Sequence, residues 1–349
     1  MIRHWLSLAK WQDQYQRINK YQRKQAKLLQ SALLDPAELQ SLYQCAHAAS
    51  LIPPQCLLEQ QQLGDIASRY RGAGLDYEES RLYQAGDEPR FINWRLTARS
   101  GKTQVKQFRE ERRPAVFILL DQGNTMRFGT QTRLKVTQAT RLAALIAFAA
   151  IQQNWAVSAV RLNEYDPQQS HQQTIDWFPA SHDADTIWQW VQQWAAACPP
   201  VQHKPTRDAD IVKHQSSDLI NILPLLQAQL LQGTHVYLLS DFIDLSPACQ
   251  PALLQLQQQH PLFTVHIIDP IELELPNLGQ MVLQDHHTSA QQNVDLSNPD
   301  LRKQFKHNAQ QRQATIKQQL QGLGCHYYPL LTPEPHPEIS IPLPHGMGL

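Results

Sequence analysis

From Ala115 onward the chain alternates short apolar runs with longer stretches of helical period. The run "AVFILLD", residues 115–121, is apolar until its final acid, which predicts a strand buried on both faces. "TRLKVTQATRLAALIAFAAIQQ", residues 132–153, predicts a long helix whose alanine and leucine content suits burial. "AVSAVRLN" predicts a second strand and "TIDWFP" another. Helices are predicted over residues 184–197, 217–231 and 248–259, with strands at "THVYLLSD" and "LFTVHIID". After a less regular stretch, residues 270–298, come a helix over 300–320 and a last strand at 325–330. Apolar strands separated by helices imply a doubly wound α/β domain with a mostly parallel sheet covered on both faces.

Upstream, residues 1–62 read as a helical, polar N-terminal extension. Arg3, Lys10, Arg17, Lys20, Arg23, Lys24 and Lys27 stand against Asp13, with Trp5, Trp11, Tyr15 and Tyr21 interleaved. The pattern fits a solvated helix face whose aromatics pack on the main domain. It also fits a basic arm for a partner or a membrane surface, which would make the chain a membrane-surface scaffold. Consecutive prolines in "LIPPQC" end the extension. Residues 63–114 then form a segment packed on the main domain, 115–331 the α/β domain, and 332–349 a proline-rich, extended tail.

Composition narrows the function classes. A chain of 349 residues, 42% hydrophobic and 18% charged, can bury a large core. Its 31 basic and 31 acidic residues cancel, so no global field draws it to nucleic acid or to an anionic membrane. Five scattered cysteines without a CxxC pair argue against both a disulfide framework and a zinc site, and suit a reducing cytoplasm. No apolar run reaches the roughly 18 residues of a transmembrane segment, and "MIRHWLSLAK" is too short and mixed for a signal peptide.

Ligands of doubly wound sheets sit beyond the carboxyl ends of the strands. Two strands here end in acids: Asp121, and "LLSDFID" with Asp241 and Asp244. If those strands are neighbours, Asp121 and Asp241 converge. Carboxylates about 4 Å apart repel by about 4 kcal/mol at an effective dielectric of about 20, so the pair calls for a cation or a shared proton. Mg²⁺ or Mn²⁺ suits it, with the hydroxyls of Thr125, Ser216 and Ser217 as further oxygen ligands. Without metal, the same acids would cap loops or helix N-termini.

"DQGNT" and "SDFID" are similar to the haloacid dehalogenase superfamily, where a strand-end D-x-D-x-T supplies a nucleophile and a general acid two residues later. That resemblance implies a metal-dependent phosphatase with Asp121 as nucleophile. Here the second acid is Gly123, and losing a proton donor forfeits about 10² to 10⁴ of rate. No lysine stands out in the sequence as that family's phosphate-binding lysine. "FILLDQGNTMRFG" together with "VYLLSDF" resembles the von Willebrand factor A fold, whose metal-ion-dependent adhesion site (MIDAS) uses D-x-S-x-S, a threonine and a last aspartate. Carried over, Asp121 is the first acid, Gly123 replaces the first serine, Thr125 the second, Ser217 falls at the threonine and Asp241 at the last acid. Gly123 degrades the site; a water can fill the vacated position.

The longest match is "RGAGLDYEESRLYQAGDEPRFINWRLTARSGKTQVKQFREERRP", residues 71–114. Arg81, Tyr83, Gly86, Asp87, Arg90, Ile92, Trp94, Ala98 and Arg99 follow R-x-Y-x-x-G-D-x-x-R-x-I-x-W-x-x-x-A-R. The segment resembles the signature of the bacterial family called domain of unknown function 58, and with "HIIDPIELELPNLG" and the final helix the likeness runs over about residues 65–331. The resemblance implies a von Willebrand A-like domain and a MoxR-type AAA+ ATPase as partner, in chaperone-like maturation or stress response. The chain has no Walker motif, so ATP chemistry belongs to that partner.

Physically, the segment reads as a turn at Gly86 and Asp87, an anchor at Trp94 and a set of guanidinium groups facing a similar number of acids. It is either an ion-pair network pinning the segment to the sheet or a docking surface for anions and partners. In "TIWQWVQQW", Ile187, Trp190 or Val191, and Trp194 share a core face, while Trp188 points off it as a candidate partner contact. Adjacent His286 and His287 lack ligand spacing. The sequence thus describes a cytoplasmic, non-enzymatic interaction protein with a degraded divalent-metal site.

Overall fold

The computed structural model describes residues 32–49, 71–72, 76–84, 87–109, 114–162, 175–197, 219–243, 245–284 and 291–335. The basic arm, Ser216, Ser217, Asp244, His286, His287 and the tail beyond residue 335 lie outside them. The chain divides into two units, Met1–Pro53 with Pro114–Leu349, and Pro54–Arg113.

Helix α1 (Pro36–Ala49) belongs to the larger unit. In the smaller unit, β1 (Arg71–Gly72), β2 (Asp76–Leu82) and β3 (Gln104–Arg109) form an antiparallel sheet in the order β1-β3-β2. A short helix, α2 (Trp94–Ser100), precedes β3; the Asn93 side chain caps its start by accepting from Leu96 N, and Gly101 at φ +67° ends it in the left-handed conformation. The strands "DYEESRL" and "QVKQFR" are too rich in charge to show an apolar alternation, which is why the sequence pattern does not reveal this sheet.

The larger unit continues through β4 (Ala115–Asp121), α3 (Lys135–Gln152), β5 (Ala156–Leu162), β6 (Ile175–Ser181), α4 (Ala184–Trp194), α5 (Leu219–Gln229) and β7 (His235–Ser240). Then come α6 (Gln250–Gln259), β8 (Leu262–Ile268), α7 (Pro270–Leu273), β9 (Gln280–Gln284), β10 (Gln291–Asp295), α8 (Pro299–Gly322) and β11 (His326–Leu331). Six strands form one sheet in the order β11-β8-β7-β4-β5-β6. All neighbours are parallel except β6, which runs antiparallel on the edge beside β5.

Alternation along β4 builds two cores at once. Val116, Ile118 and Leu120 pack with α1, α3 and α4; Phe117 and Leu119 pack with α5, α6 and the C-terminal half of α8. Because both faces are covered, the strand reads as one continuous apolar run. Leu39, Leu42 and Ala46 of α1 join the same cluster as α3, which explains why α3 is buried nearly all round. Arg141 on α3 pairs with Glu38 at 2.7 Å and donates to Pro335 O at 3.0 Å, tying α1 and the start of the tail to α3.

Two expectations change. Residues 270–298 are more regular than their sequence suggests, since they contain α7 and the antiparallel β9–β10 hairpin. Glutamine-rich strands on an exposed hairpin carry almost no apolar periodicity. Trp188 is not a free contact: it stacks on Phe148 at 5.1 Å between ring centroids and meets Tyr43 edge-on at 6.0 Å. Ile187, Trp190, Val191 and Trp194 form the buried face of α4. Among the described residues no helix is long and apolar enough to cross a membrane.

Candidate functional site

Because β4 and β7 are parallel neighbours, with Leu120 opposite Leu239, their carboxyl ends lie side by side. Asp121 closes β4 and Asp241 follows β7 directly, and both are buried. Asp121 accepts from Ser240 Oγ at 2.6 Å through Oδ2 and from Gly123 N at 2.9 Å through Oδ1. A β-carbon at position 123 would lie 3.0 Å from that Oδ1, so a serine there would crowd the carboxylate. Thr125 hydrogen-bonds Asp241, and Ile243 N donates to Asp241 Oδ1 at 3.2 Å.

The cation at this site is a side chain. Lys135, the first residue of α3 and only 1% exposed, places Nζ 2.9 Å from Asp241 Oδ2 and 2.7 Å from Glu272 Oε1. The loop between β4 and α3 brings it there: Lys135 N donates to Phe128 O at 2.7 Å, and a β-carbon on Gly129 would meet Arg133 O at 2.3 Å, so the loop closes only over a glycine. Glu272 in turn accepts from Asp269 N at 2.9 Å, in a capping box that starts α7. Asp269, fully buried, accepts from Thr130 N at 2.8 Å, Ile271 N at 3.1 Å and Thr332 Oγ1 at 3.0 Å, and also binds the Thr130 hydroxyl. Three loops at the strand ends are thereby knotted together.

Electrostatics follow from this wiring. Burial and the neighbouring Asp241 charge push Asp121 up to about 6, against the pull of Ser240, Gly123 and Lys135. Burial also raises Asp241, but the charge and hydrogen bond of Lys135 outweigh it and hold this acid below its ordinary value. Burial lowers Lys135 and its two carboxylates raise it further, so it stays an ammonium. His266 is pushed down to about 4 chiefly by burial, and its Nδ1 lies 2.8 Å from the Tyr327 hydroxyl.

Beside Asp241 opens a pocket of ≈ 30 Å³, lined in part by Ile243, His266, Glu272, Arg312 and Ile316. It has room for water-sized occupants, against about 300–1,000 Å³ for small-molecule sites. At its rim Phe242 adopts φ +50°, a left-handed conformation that costs a bulky residue about 1–2 kcal/mol. Its ring turns inward against His266, and the next residue, Ile243, stands out 45% exposed.

Three of the four metal-ligand positions drawn from the sequence, Asp121, Thr125 and Asp241, thus gather at one place; the fourth, Ser217, lies outside the described residues. Sequence reasoning missed Lys135, Ser240, Glu272 and Asp269. The donors do not suit Mg²⁺ or Mn²⁺ while Lys135 holds Asp241: a divalent ion on that carboxylate would face an ammonium a few ångströms away, a repulsion of several kcal/mol. Among the described residues no group of three or more His, Cys, Asp or Glu side chains is arranged to hold a metal. Lys135 is a lysine beside the strand-end acids, but two carboxylates already occupy its ammonium.

In the smaller unit, Arg81 grips Asp87 with a two-pronged pair at 2.8 and 2.6 Å, and Gln84 N adds a bond at 2.8 Å. Hydrogen bonding to Arg81 holds Asp87 below the usual carboxylate range. Arg90 pairs with Glu88 and lies over the Phe91 ring. Gly86 lies outside the described residues. Trp94 is not an anchor: it is 68% exposed, because α2 turns Leu96 and Thr97 inward instead. Arg99 is exposed on the same helix.

Uncharacterized proteins of Mycobacterium bovis and of Mycobacterium tuberculosis strain H37Rv are each 25% identical to this chain over 279 residues, 77% of this chain and 77% of theirs. Among solved structures, the crystal structure of a conserved hypothetical protein, BatB, from Bacteroides thetaiotaomicron is similar over 61% of this chain and 99% of that one, with a TM-score of 0.31 and 10% identity. The family described as "Protein of unknown function DUF58" matches residues 79–315, a span that takes in Arg81, Trp94, Asp121, Lys135, Asp241 and Glu272. With that match over more than half its length, the chain belongs to the DUF58 family.

Proposed function

We propose that this chain is a non-enzymatic protein-interaction module of von Willebrand factor A type, docking a partner on the loops at the carboxyl ends of its parallel strands, with Lys135 as a built-in cation. The observation that carries the reading is the buried Lys135 bridge between Asp241 and Glu272, at the point where Asp121, Thr125 and Asp241 gather. A partner carboxylate cannot reach an ammonium that is buried and already paired twice. Docking therefore falls to the rim of the loops that the bridge fixes, where Phe128 is 37% exposed and Ile243 stands out beside the pocket. Exposed apolar side chains on loops anchored by buried hydrogen bonds are what a partner contact needs.

The partner we infer is a MoxR-type AAA+ ATPase in chaperone-like maturation or stress response, as the family signature around Trp94 implies. The setting we infer is cytoplasmic, in keeping with cysteines scattered along the sequence, of which the described Cys45, Cys249 and Cys325 are free thiols. Two further readings compete with this one. A divalent ion at Asp121, Thr125 and Asp241 would have to displace Lys135 from Asp241. A phosphatase using Asp121 would need a free nucleophile, whereas both its oxygens already accept hydrogen bonds.

Biolayer interferometry of the purified chain against a MoxR-type ATPase, with chelator and with millimolar Mg²⁺, tests the reading. Equal binding in both conditions, lost in Ile243→Asp at unchanged melting temperature, is expected. Binding that requires Mg²⁺ would replace the built-in cation by a metal, and binding indifferent to Ile243→Asp would move the contact off this face.

A further inference from the structure

A second surface lies in the smaller unit and is independent of the strand-end site. Among its described side chains the acids are already committed, Asp87 to Arg81 and Glu88 to Arg90. Arg95, Arg99, Lys102 and Lys106 are exposed and make no ion pair with a described residue. Helix geometry gathers two of them with the tryptophan. At about 100° per residue, Trp94, Arg95, Ala98 and Arg99 fall within an arc of about 140°, opposite the half-buried Leu96 and Thr97. Lys102 follows on the turn after Gly101.

The helix carrying this face is held firmly. Asn93 N donates to Gln104 O at 2.7 Å, Asn93 Nδ2 to Ser80 Oγ at 3.0 Å, and Gln104 N to Thr97 Oγ1 at 3.0 Å. These bonds tie the start and the middle of α2 to the β2–β3 pair, where Leu82 lies opposite Gln104 and is itself exposed. A tryptophan left two-thirds in water on a fixed helix, flanked by guanidinium groups that pair with no acid among the described residues, gains nothing for folding. Tryptophan and arginine are the residues that dominate contact energies at protein interfaces.

We propose that the outer face of α2 is a docking surface for an acidic, extended segment of a partner protein. Arg95 and Arg99, one turn apart, present forks with β-carbons about 6 Å apart. Carboxylates on alternate residues of an extended strand repeat at about 6.6 Å, a matching interval, and each fork takes one of them bidentately. Trp94 covers an apolar side chain carried beside the pair. Four cations and one indole fall short of the basic groove with successive stacking platforms that tracks a nucleic-acid strand. The balance of 31 basic and 31 acidic residues supplies no long-range pull toward a polyelectrolyte. A membrane surface calls for several apolar side chains to insert, and besides Trp94 this helix face offers only Ala98.

The test uses the full chain and a short fluorescein-labelled peptide of Glu-Leu-Glu repeats, read by anisotropy, with a Gln-Leu-Gln peptide, an oligo(dT) strand and phosphatidylglycerol vesicles in parallel. Saturable binding to the acidic peptide alone is expected, weakening with salt. Arg95→Glu with Arg99→Glu should weaken it at least about tenfold and Trp94→Ala about fivefold. These side chains are exposed, so melting temperatures should stay at the wild-type value and report a fold that is intact. Absence of saturation, equal affinity in the charge-reversed variant, or tighter binding to oligo(dT) or vesicles that the same variant abolishes would each overturn the proposal.

Discussion

Lys135→Met removes the ammonium and keeps most of the stem, so it isolates the charge. In the wild type, Coulomb attraction between Nζ and Asp241 at 2.9 Å is about 6 kcal/mol at an effective dielectric of about 20, largely offset by the burial of both groups. Deleting one partner of such a pair leaves the other charge buried and unpaired, at about 3–5 kcal/mol. Glu272 is 28% exposed in its side chain and recovers part of its hydration. Asp241 cannot, so the lower end, about 3 kcal/mol, is the expected loss, read as a lower urea midpoint at unchanged slope. The pH dependence fixes the cause. Without Lys135, burial and the Asp121 charge remain to push Asp241 above its unfolded value of 3.8. The penalty then applies above the raised value and disappears as pH falls through it, so the gap between wild type and variant narrows from pH 8 to pH 5. Adding Asp241→Asn should restore most of the loss, because a neutral pair tolerates burial. Millimolar Mg²⁺ should raise the melting temperature of Lys135→Met and leave the wild type unmoved. A loss under about 1 kcal/mol, or a double variant no better than the single one, refutes the assignment of Lys135 as the site's cation.

Asp269→Ala orphans the donors of Thr130, Ile271 and Thr332 in three loops and should cost at least about 3 kcal/mol in urea denaturation; a cost below about 1 kcal/mol would show the knot is dispensable. His266 and His235, each pushed down to about 4 by burial, stay neutral in the folded chain while the unfolded chain binds protons below about 6.5. Their contribution is therefore present above pH 6.5 and lost as pH falls toward 4, about 3 kcal/mol for each, and His235→Phe should remove its share of that acid slope in pH-dependent melts. Asp121 works in the opposite sense: its carboxyl costs nothing below pH 3.8 and about 3 kcal/mol above about pH 6, so Asp121→Asn should stabilise the chain at pH 8 by about 2 kcal/mol and not at pH 4. The same variant should leave aryl phosphate turnover in Mg²⁺ at the blank level of the wild type; turnover that it abolishes would restore the nucleophile reading.

What the sequence made legible follows from burial. β4, β7 and β8 are covered on both faces, so their letters are almost all apolar and the parallel sheet can be read directly. Asp121 and Asp241 were legible as a pair because an acid closing an apolar run has few structural reasons to be there. Lys135 was hidden because a lysine near a helix start looks like an ordinary solvated end. One signal was available: a cation in the first turn opposes the helix dipole, and here the turn opens a helix apolar on nearly every side, so the charge needs acids close by. Its second acid, Glu272, lies 137 positions away, where only the fold connects them. The smaller sheet was illegible for the opposite reason, since its charged strands are paired through the backbone and leave no pattern in the side chains.

Gly123 and Lys135 are one departure seen at two positions. With no side chain at 123, Asp121 turns Oδ1 to a backbone N–H and Oδ2 to Ser240, so it needs no outside ligand. Asp241 is satisfied by Lys135, Thr125 and Ile243 N. Mg²⁺ in such a place would keep exchangeable waters and offer one of its positions to a partner's oxygen. An ammonium that donates to Asp241 and Glu272 and is almost wholly buried offers none. The strand-end acids are therefore spent inward, on fixing the loop from Gly123 to Leu134 and the turn at Phe242. On the proposed interaction role, recognition on this face would fall to what those loops hold outward, and the strained Phe242 turn, which buries its own ring and exposes Ile243, is where inward order would be converted into an outward contact.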